Sequence, residues 1–380
     1  MGRNGLLIDK IKKKKQKSKG LWLFLMFFVM GFAIGTYTST ESASSEILFS
    51  IAYSSEKESW MEEIKEPFIS WYEENYGVKI KVNFFPVGSR ESIIAILNGQ
   101  YKPAIWSPAA STWIPYMNYL WKQGGYGEYI TSINKSAVYS PIVLAIWESF
   151  VNTYNISSLN GIYELTLDNN PPVKLAHTDP RLSNSGFCSI IMEIVAASGK
   201  NSSDLVYNDL LNKTIQEWIG QFESVAVHYG KSTGYLIRSM LQTGPIGINT
   251  AILYENLIIE SAAEAESRYG EKIIAIYPEE GSIHSDHPFC VLDGASWMDD
   301  SLLNVSTRFL SFIEQEEILD LATVHGFRVY NENVSLPSSI FNQENGVEYN
   351  ISAYSKLEVP KDPEFISRVS DLWLMNRPTI

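Results

Sequence analysis

Apolar positions along the chain switch repeatedly between a strand-like and a helix-like spacing, and each switch marks an element. Ile47 to Tyr53 is a mostly apolar run closed by Ser54 and Ser55, which predicts a buried strand. Residues 57–77 place Trp60, Ile64, Phe68 and Trp71 on one helical face, with an interruption predicted at Pro67 and a stop at Gly77. Val78, Ile80, Val82 and Phe84 alternate as a strand, and "PVGSRE" then leads into a helix carrying Ile93, Ile94 and Leu97. Short strands are predicted within 103–111, 140–150 and 172–180. The last of these feeds a helix with Phe187, Ile190, Ile191, Ile194 and Val195 on its packed face, stopped by Gly199. Residues 214–230 read as a helix ending at Gly230. Further on, a strand within 244–255, a helix over 256–270 and strands within 271–283 and 287–297 precede a mainly helical C-terminal third. Strand and helix taking turns at this spacing predict an α/β architecture with a mostly parallel sheet. The 380 residues suffice for two domains.

The N-terminus follows a different rule. A lysine cluster over 10–19 precedes a stretch without charge from Gly20 to Thr40. Its apolar part, Leu21 to Tyr37, would span about 25 Å as a helix, the length of a short membrane anchor or a long signal segment. The lysines orient it with the basic tail, 1–20, in the cytoplasm and the rest outside. The expectation is an uncleaved anchor over 21–37, with a cleaved signal as the alternative, and hence a body at the cell surface or secreted.

Charge supports that division. Residues 1–20 hold eight Lys/Arg and one acid, leaving 22 basic and 42 acidic residues in the remainder, a net charge of −20. A body this acidic argues against nucleic acid as a partner. Seven N-x-[ST] sequons, at Asn134, Asn155, Asn201, Asn212, Asn304, Asn333 and Asn350, predict an exported glycoprotein. The two cysteines, Cys188 and Cys290, allow one disulfide or two separate buried thiols.

One device occurs twice. "PVGSRE" and "RLSNSGF" each end a strand with Gly and Ser at the start of a helix. There the first backbone N–H groups lack partners and the helix dipole is positive, so serine hydroxyls complete a cup for an anion or a polyhydroxy ligand. Ser89 and Ser185 could equally be simple N-caps. Both entrances lie at carboxyl ends of strands in an open α/β sheet, where such folds hold ligands.

Taken in order, "GSRE", "KPAIWSPAAS", "AHTDPRLSNSGF", "ILYENL" and "IYPEEGSIHSDHPFCVLDGA" resemble the extracellular solute-binding proteins of ABC transporters. More narrowly, the likeness is to the type II periplasmic-binding-protein fold near its molybdate-binding-like branch, and it covers residues 46–380. The resemblance implies an α/β protein of two lobes: 46–140 and 288–380 form the first, 141–287 the second. Crossover strands would lie near Tyr139–Ala145 and Pro288–Asp293. The ligand would sit between the lobes, held by Ser54, Ser55, Ser89, Arg90, Ser107 and Ser111 from the first. From the second it would meet Asp179, Ser183, Ser185, Gly186, Tyr254 and Glu255. Arg90, Asp179, Arg181 and Glu255 bring both signs of charge to the cleft, so a zwitterion, a sugar acid or a metal complex is as fitting a ligand as a bare oxyanion. The implied partners are a small polar solute, an ABC permease and its cytoplasmic ATPase. No cofactor, resident metal or catalysis is implied.

Other chemistries find weaker footing. The alternative of another class is a surface sensor or adhesion module that reuses the binding fold. "HSDH" (284–287) lacks the further ligands of a zinc site. "GKSTG" (230–234) matches a nucleophile elbow around Ser232, but the predicted helix upstream is the wrong context. Cys188 at a helix start has no identifiable base.

Overall fold

A computed structural model of the chain describes residues 46–360 and 362–378. The expected basic tail and membrane segment lie outside the described residues. Among the described residues no helix is long and apolar enough to cross a membrane.

The first sheet grows from β1 (Ile47–Tyr53), α1 (Glu58–Tyr76), β2 (Ile80–Pro86), α2 (Ser89–Leu97), β3 (Ile105–Ser107), α3 (Trp113–Gln123) and β4 (Ile133–Lys135). β1 runs parallel to both β2 and β3, pairing from Ile47↔Ile80 to Tyr53↔Pro86. Ile80, Val82 and Phe84 point inward as their alternation requires. α1 buries Trp60, Met61, Ile64, Phe68 and Tyr72, and Gly77 ends it at φ 65°, where a residue without Cβ is favoured. The expected break at Pro67 does not occur. Pro67 faces solvent, so its ring and the bond it cannot donate lie on the side that water can satisfy, while the buried stripe continues past it.

The chain enters the second sheet along β5 (Val138–Trp147), followed by β6 (Leu175–Thr178), α4 (Asn184–Ser198), α5 (Lys213–Glu223), β7 (Ala226–Gly230), α6 (Thr233–Gly247), β8 (Thr250–Tyr254), α7 (Glu255–Tyr269), β9 (Ile273–Ile276) and β10 (Ser282–Ser285). β8, β6 and β7 are parallel, and β5 is antiparallel to β8 and β9. The helix expected over 214–230 is two elements. α5 ends at Glu223, and 226–230 turn into β7 because they complete the parallel edge beside β6.

The return to the first sheet falls between β10 and β11 (Phe289–Val291), which pairs antiparallel with β3 and β4. Both crossings therefore sit a few residues before the expected positions. α8 (Asp300–Phe312) and α9 (Glu316–Val324) close the first core, where Phe68 packs on Phe309 with ring centroids 4.9 Å apart.

The expected assignment of all of 288–380 to the first lobe needs correction. β12 (Arg328–Val329) pairs with β5, and beyond it the chain joins the second core through Phe341, Val347 and Ile351. β13 (Lys356–Leu357) adds to β10, and α10 (Pro363–Asn376) packs on α4 and α5. The reason is the stripe Phe365, Val369, Leu372 and Trp373, which needs an apolar face and finds it on those helices. Between β12 and α10 regular structure is limited to β13 and a short 3-10 turn, less helix than expected.

The exposed helical Pro67 yields a test. Pro67→Ala restores a hydrogen bond without touching the core and should raise unfolding stability by about 1–3 kcal/mol, measured by denaturant melts of both forms.

Candidate ligand cleft

The carboxyl ends of the two sheets face each other, and three helix entrances meet there. The extended N-cap residues are Gly88 before α2 and Ser183 before α4, so Ser89 and Ser185 are the first and second residues of their helices rather than caps. The N–H groups of Arg90 and Glu91 both donate to the carbonyl of Leu182, at 3.0 and 3.1 Å. A Cβ at Gly88 would lie 2.6 Å from that oxygen, so only glycine permits the approach. At α6, the N–H of Gly234 donates to Ser55 Oγ (3.2 Å), and a Cβ there would meet the Ser55 carbonyl at 2.8 Å. The positive ends of two helices thus receive acceptors from the opposite lobe.

Beside them lies a buried charge cluster outside the sequence expectation. Lys57 Nζ donates to Ser54 Oγ (2.5 Å) and the Pro108 carbonyl (3.2 Å), while Glu56 meets Ser54 and stands 3.2 Å from His287 Nδ1. Burial pushes the Glu56 carboxyl up, but Lys57 and His287 outweigh it and hold the group at about 2. Burial pulls Lys57 down to about 8, and burial with Lys57 pulls His287 below its ordinary range. At neutral pH this is a Glu–Lys ion pair beside a neutral imidazole, sealed between the sheets. The Glu56 carbonyl also accepts from Asn256 of α7 at 3.0 Å.

Asn184, likewise unforeseen, joins the lobes by side chains. Its Oδ1 accepts from Trp113 Nε1 (2.7 Å), and its Nδ2 donates to Tyr254 Oη (2.9 Å) and Ser285 Oγ (3.0 Å). The expected site residues divide around this centre. Ser54, Ser55, Ser89 and Tyr254 are buried in it, with Ser89 Oγ accepting from the Ala109 N–H (3.0 Å). Ser107 is buried beside them, and its carbonyl accepts from the Ser54 N–H (2.9 Å). Arg90 reaches across to the Pro180 carbonyl (2.9 Å) and Ser370 Oγ (2.5 Å). Ser183 and Ser185 share a hydroxyl group cluster within the second lobe, where Ser185 lies 2.7 Å from Thr233 and 2.8 Å from Thr178.

Four expected residues have other partners. Ser111 is exposed at the rim, its N–H on Asp286 (2.8 Å). Asp179 is paired with Arg181 across its turn (2.6 Å). Gly186 is required by packing, since a Cβ would fall 1.9 Å from the Thr178 carbonyl. Glu255 accepts from Nε and Nη2 of Arg328 (2.7 and 2.8 Å) and from Tyr277, so its charge is spent within the second lobe. A cavity of about 240 Å³ opens at the rim between Ser55, Gly88, Glu91, Tyr101, Lys231 and Arg238.

Cys188 and Cys290 are buried, free thiols, so the disulfide that the sequence allowed is not formed. Burial pushes the Cys188 thiol up to about 12, which leaves no thiolate. Ser232 does stand between a strand and a helix, but its backbone is plainly extended (φ −149°, ψ 161°), without the strain of a nucleophile elbow.

Two tests follow from these buried and bridging charges. Lys57→Met leaves Glu56 without its cation and should cost about 3–5 kcal/mol in denaturant unfolding, whereas Glu56→Gln with Lys57→Met should recover most of it. His325 bridges Glu260 of α7 (3.1 Å) and Glu63 of α1, across the two lobes. Burial opposes its charge, but the two carboxylates prevail and raise its pKa. The bridge is thus complete below the ordinary histidine pKa, about 6.5, and is lost as pH rises through the raised value. Melting temperature should fall over that window in the native chain, and His325→Gln should flatten the decline.

No protein-family model and no curated protein matches the chain in sequence. Solved structures do match it in shape. A periplasmic thiamin-binding protein superposes with a TM-score of 0.60 at 12% identity, over 88% of this chain and 97% of that one. An ABC transporter substrate-binding protein from Bradyrhizobium japonicum gives 0.60 at 12%, over 88% and 100%. A periplasmic binding protein from Actinobacillus pleuropneumoniae, solved with fructose-6-phosphate bound, gives 0.57 at 14%, over 87% and 98%. The described chain has the mixed α/β, two-lobed fold of the periplasmic solute-binding proteins.

Proposed function

We propose that the chain is an extracellular substrate-binding protein. It captures a small, polar, acceptor-rich solute between its lobes and hands it to an ABC permease driven by a cytoplasmic ATPase. The observation that carries this is the pair of helix entrances closed by acceptors from the opposite lobe. Opening the lobes takes Leu182 away from the N–H groups of Arg90 and Glu91, and Ser55 from that of Gly234. A phosphate, carboxylate or sugar oxygen then takes the vacated positions, and closure seals it in. Ser54, Ser89, Ser107 and Tyr254 line the same centre, and an oxyanion of the molybdate kind is one member of this ligand class. The body would be tethered by Leu21–Tyr37. All seven sequon asparagines lie on exposed residues, which supports an exported, glycosylated body.

A second function, surface sensing or adhesion, is favoured by the helix entrances, whose N–H groups already meet acceptors of the protein itself, whereas Ser107 Oγ and His287 Nε2 beside them stay buried without a partner and favour the first. Thermal unfolding of the full-length chain against oxyanions, sugars, sugar phosphates, amino acids and thiamin separates the two. A bound solute at about 100 times its Kd adds roughly 2.7 kcal/mol, and a rise of a few degrees with one class is the expected result. Folded, ligand-free protein that shifts with none would favour the second function.

A further inference from the structure

Away from the cleft, the second lobe buries three ionisable side chains together. His177 of β6, Glu193 in the middle of α4 and Glu223 at the end of α5 are each fully buried, and one ligand atom from each lies within 4.8 Å of the others. Successive residues of a strand point to opposite faces. Thr178 turns to the Ser185–Thr233 hydroxyls, so His177 turns away from them toward Glu223, Tyr229 and Trp373.

Most atoms of the group are satisfied. His177 Nδ1 lies 2.8 Å from the Thr178 carbonyl, and Tyr229 donates to Glu223 Oε2 at 2.6 Å. Glu193 is different: neither of its carboxylate oxygens has a hydrogen-bond partner, although the residue is wholly removed from water. A buried carboxyl in that condition needs a proton or a cation. His177 Nε2 meets Glu223 Oε1 at 2.9 Å, a hydrogen bond, so a cation would enter here by replacing the proton that the two atoms share. Two ligands at about 2.0–2.2 Å from one tetrahedral cation stand roughly 3.3–3.6 Å apart, so a side-chain shift of about half an ångström would admit it.

We propose that His177, Glu193 and Glu223 form a buried site for one divalent transition-metal cation. One imidazole nitrogen with two carboxylates suits zinc, and the chemically similar cobalt(II) should occupy the same place. The charges cancel: a neutral imidazole, two carboxylates and a divalent ion leave no net charge in the core. The outer partners have the form that orients metal ligands, with a carbonyl fixing the imidazole and a phenol fixing a carboxylate. The cation would pin α4 and α5 to β6, beneath α10, whose Trp373 ring lies 5.0 Å from that of Tyr229.

The test uses the full-length chain, purified without chelator, and elemental analysis followed by stripping and titration with Zn²⁺ or Co²⁺ alone. About one equivalent of metal is expected, with a visible Co²⁺ band displaced by Zn²⁺ and a melting temperature several degrees higher with Zn²⁺ than after stripping. Glu193→Gln, close in shape, should fold yet lose the Co²⁺ band and the Zn²⁺ shift. If the unaltered chain takes up no Zn²⁺ or Co²⁺ and its melting temperature ignores both, the proposal fails. Glu193→Gln being as stable as the parent in that case would assign the group to a protonated carboxyl instead.

Discussion

A helix that begins at a buried interface must find acceptors for its first N–H groups, and this constraint organises the molecule. α2 and α6 both begin where the two sheets meet, and each receives an oxygen from the lobe opposite. Unmade, such a bond costs about 1–3 kcal/mol per group. The lobes therefore rest against each other by mutual need, and glycine at 88 and 234 lets main chain come close enough to meet it. The ion pair of Glu56 and Lys57 is subject to the same rule, since each charge tolerates burial only beside the other.

This explains how one surface can be both closed and receptive. The acceptors that close the two entrances belong to the protein, and under the proposed function an oxygen of a solute would take their place. Under that function, solute and protein compete for the same donors, so affinity would be the difference between two similar sets of hydrogen bonds. A site of this kind selects by shape and number of acceptors, because raw electrostatic attraction is opposed by the acidic body around it.

Much of the fold was legible because local pattern and tertiary role agreed. β1 occupies Ile47–Tyr53 as its apolar run indicates, and Gly199 ends α4 in the left-handed conformation that its position suggests. Where they diverged, packing prevailed. α1 runs through Pro67 because its buried stripe outweighs one lost bond on the wet side. β7 was hidden because the apolar period of α5, through Trp218 and Phe222, runs on into Val225. An amphipathic stripe such as that of α10 says that it will dock, not on which sheet. In the cleft, small Gly and Ser residues gave away the entrances. Glu56 and Lys57 escaped notice because adjacent charges usually mark a solvated surface, although their place directly after a fully buried strand end was a usable signal. Asn184 looked like an ordinary residue of a helix start, and nothing local ties it to Trp113.

The path of the chain after β12 has a mechanical consequence. At the junction, β5 is flanked by β12 on one side, through Arg328↔Tyr139, and by β10 on the other, through Ser285↔Ser140. Tyr139 stacks between His284 and Tyr330 across the same three strands. Two separate connecting strands would permit both bending and torsion. Three strands bonded edge to edge form a ribbon, which flexes across its plane but resists being wrung. Were the lobes to open as the proposed function requires, such a ribbon would favour a swing about one axis, like a book on its spine, and would bring the donors at α2 back to the same register on closing.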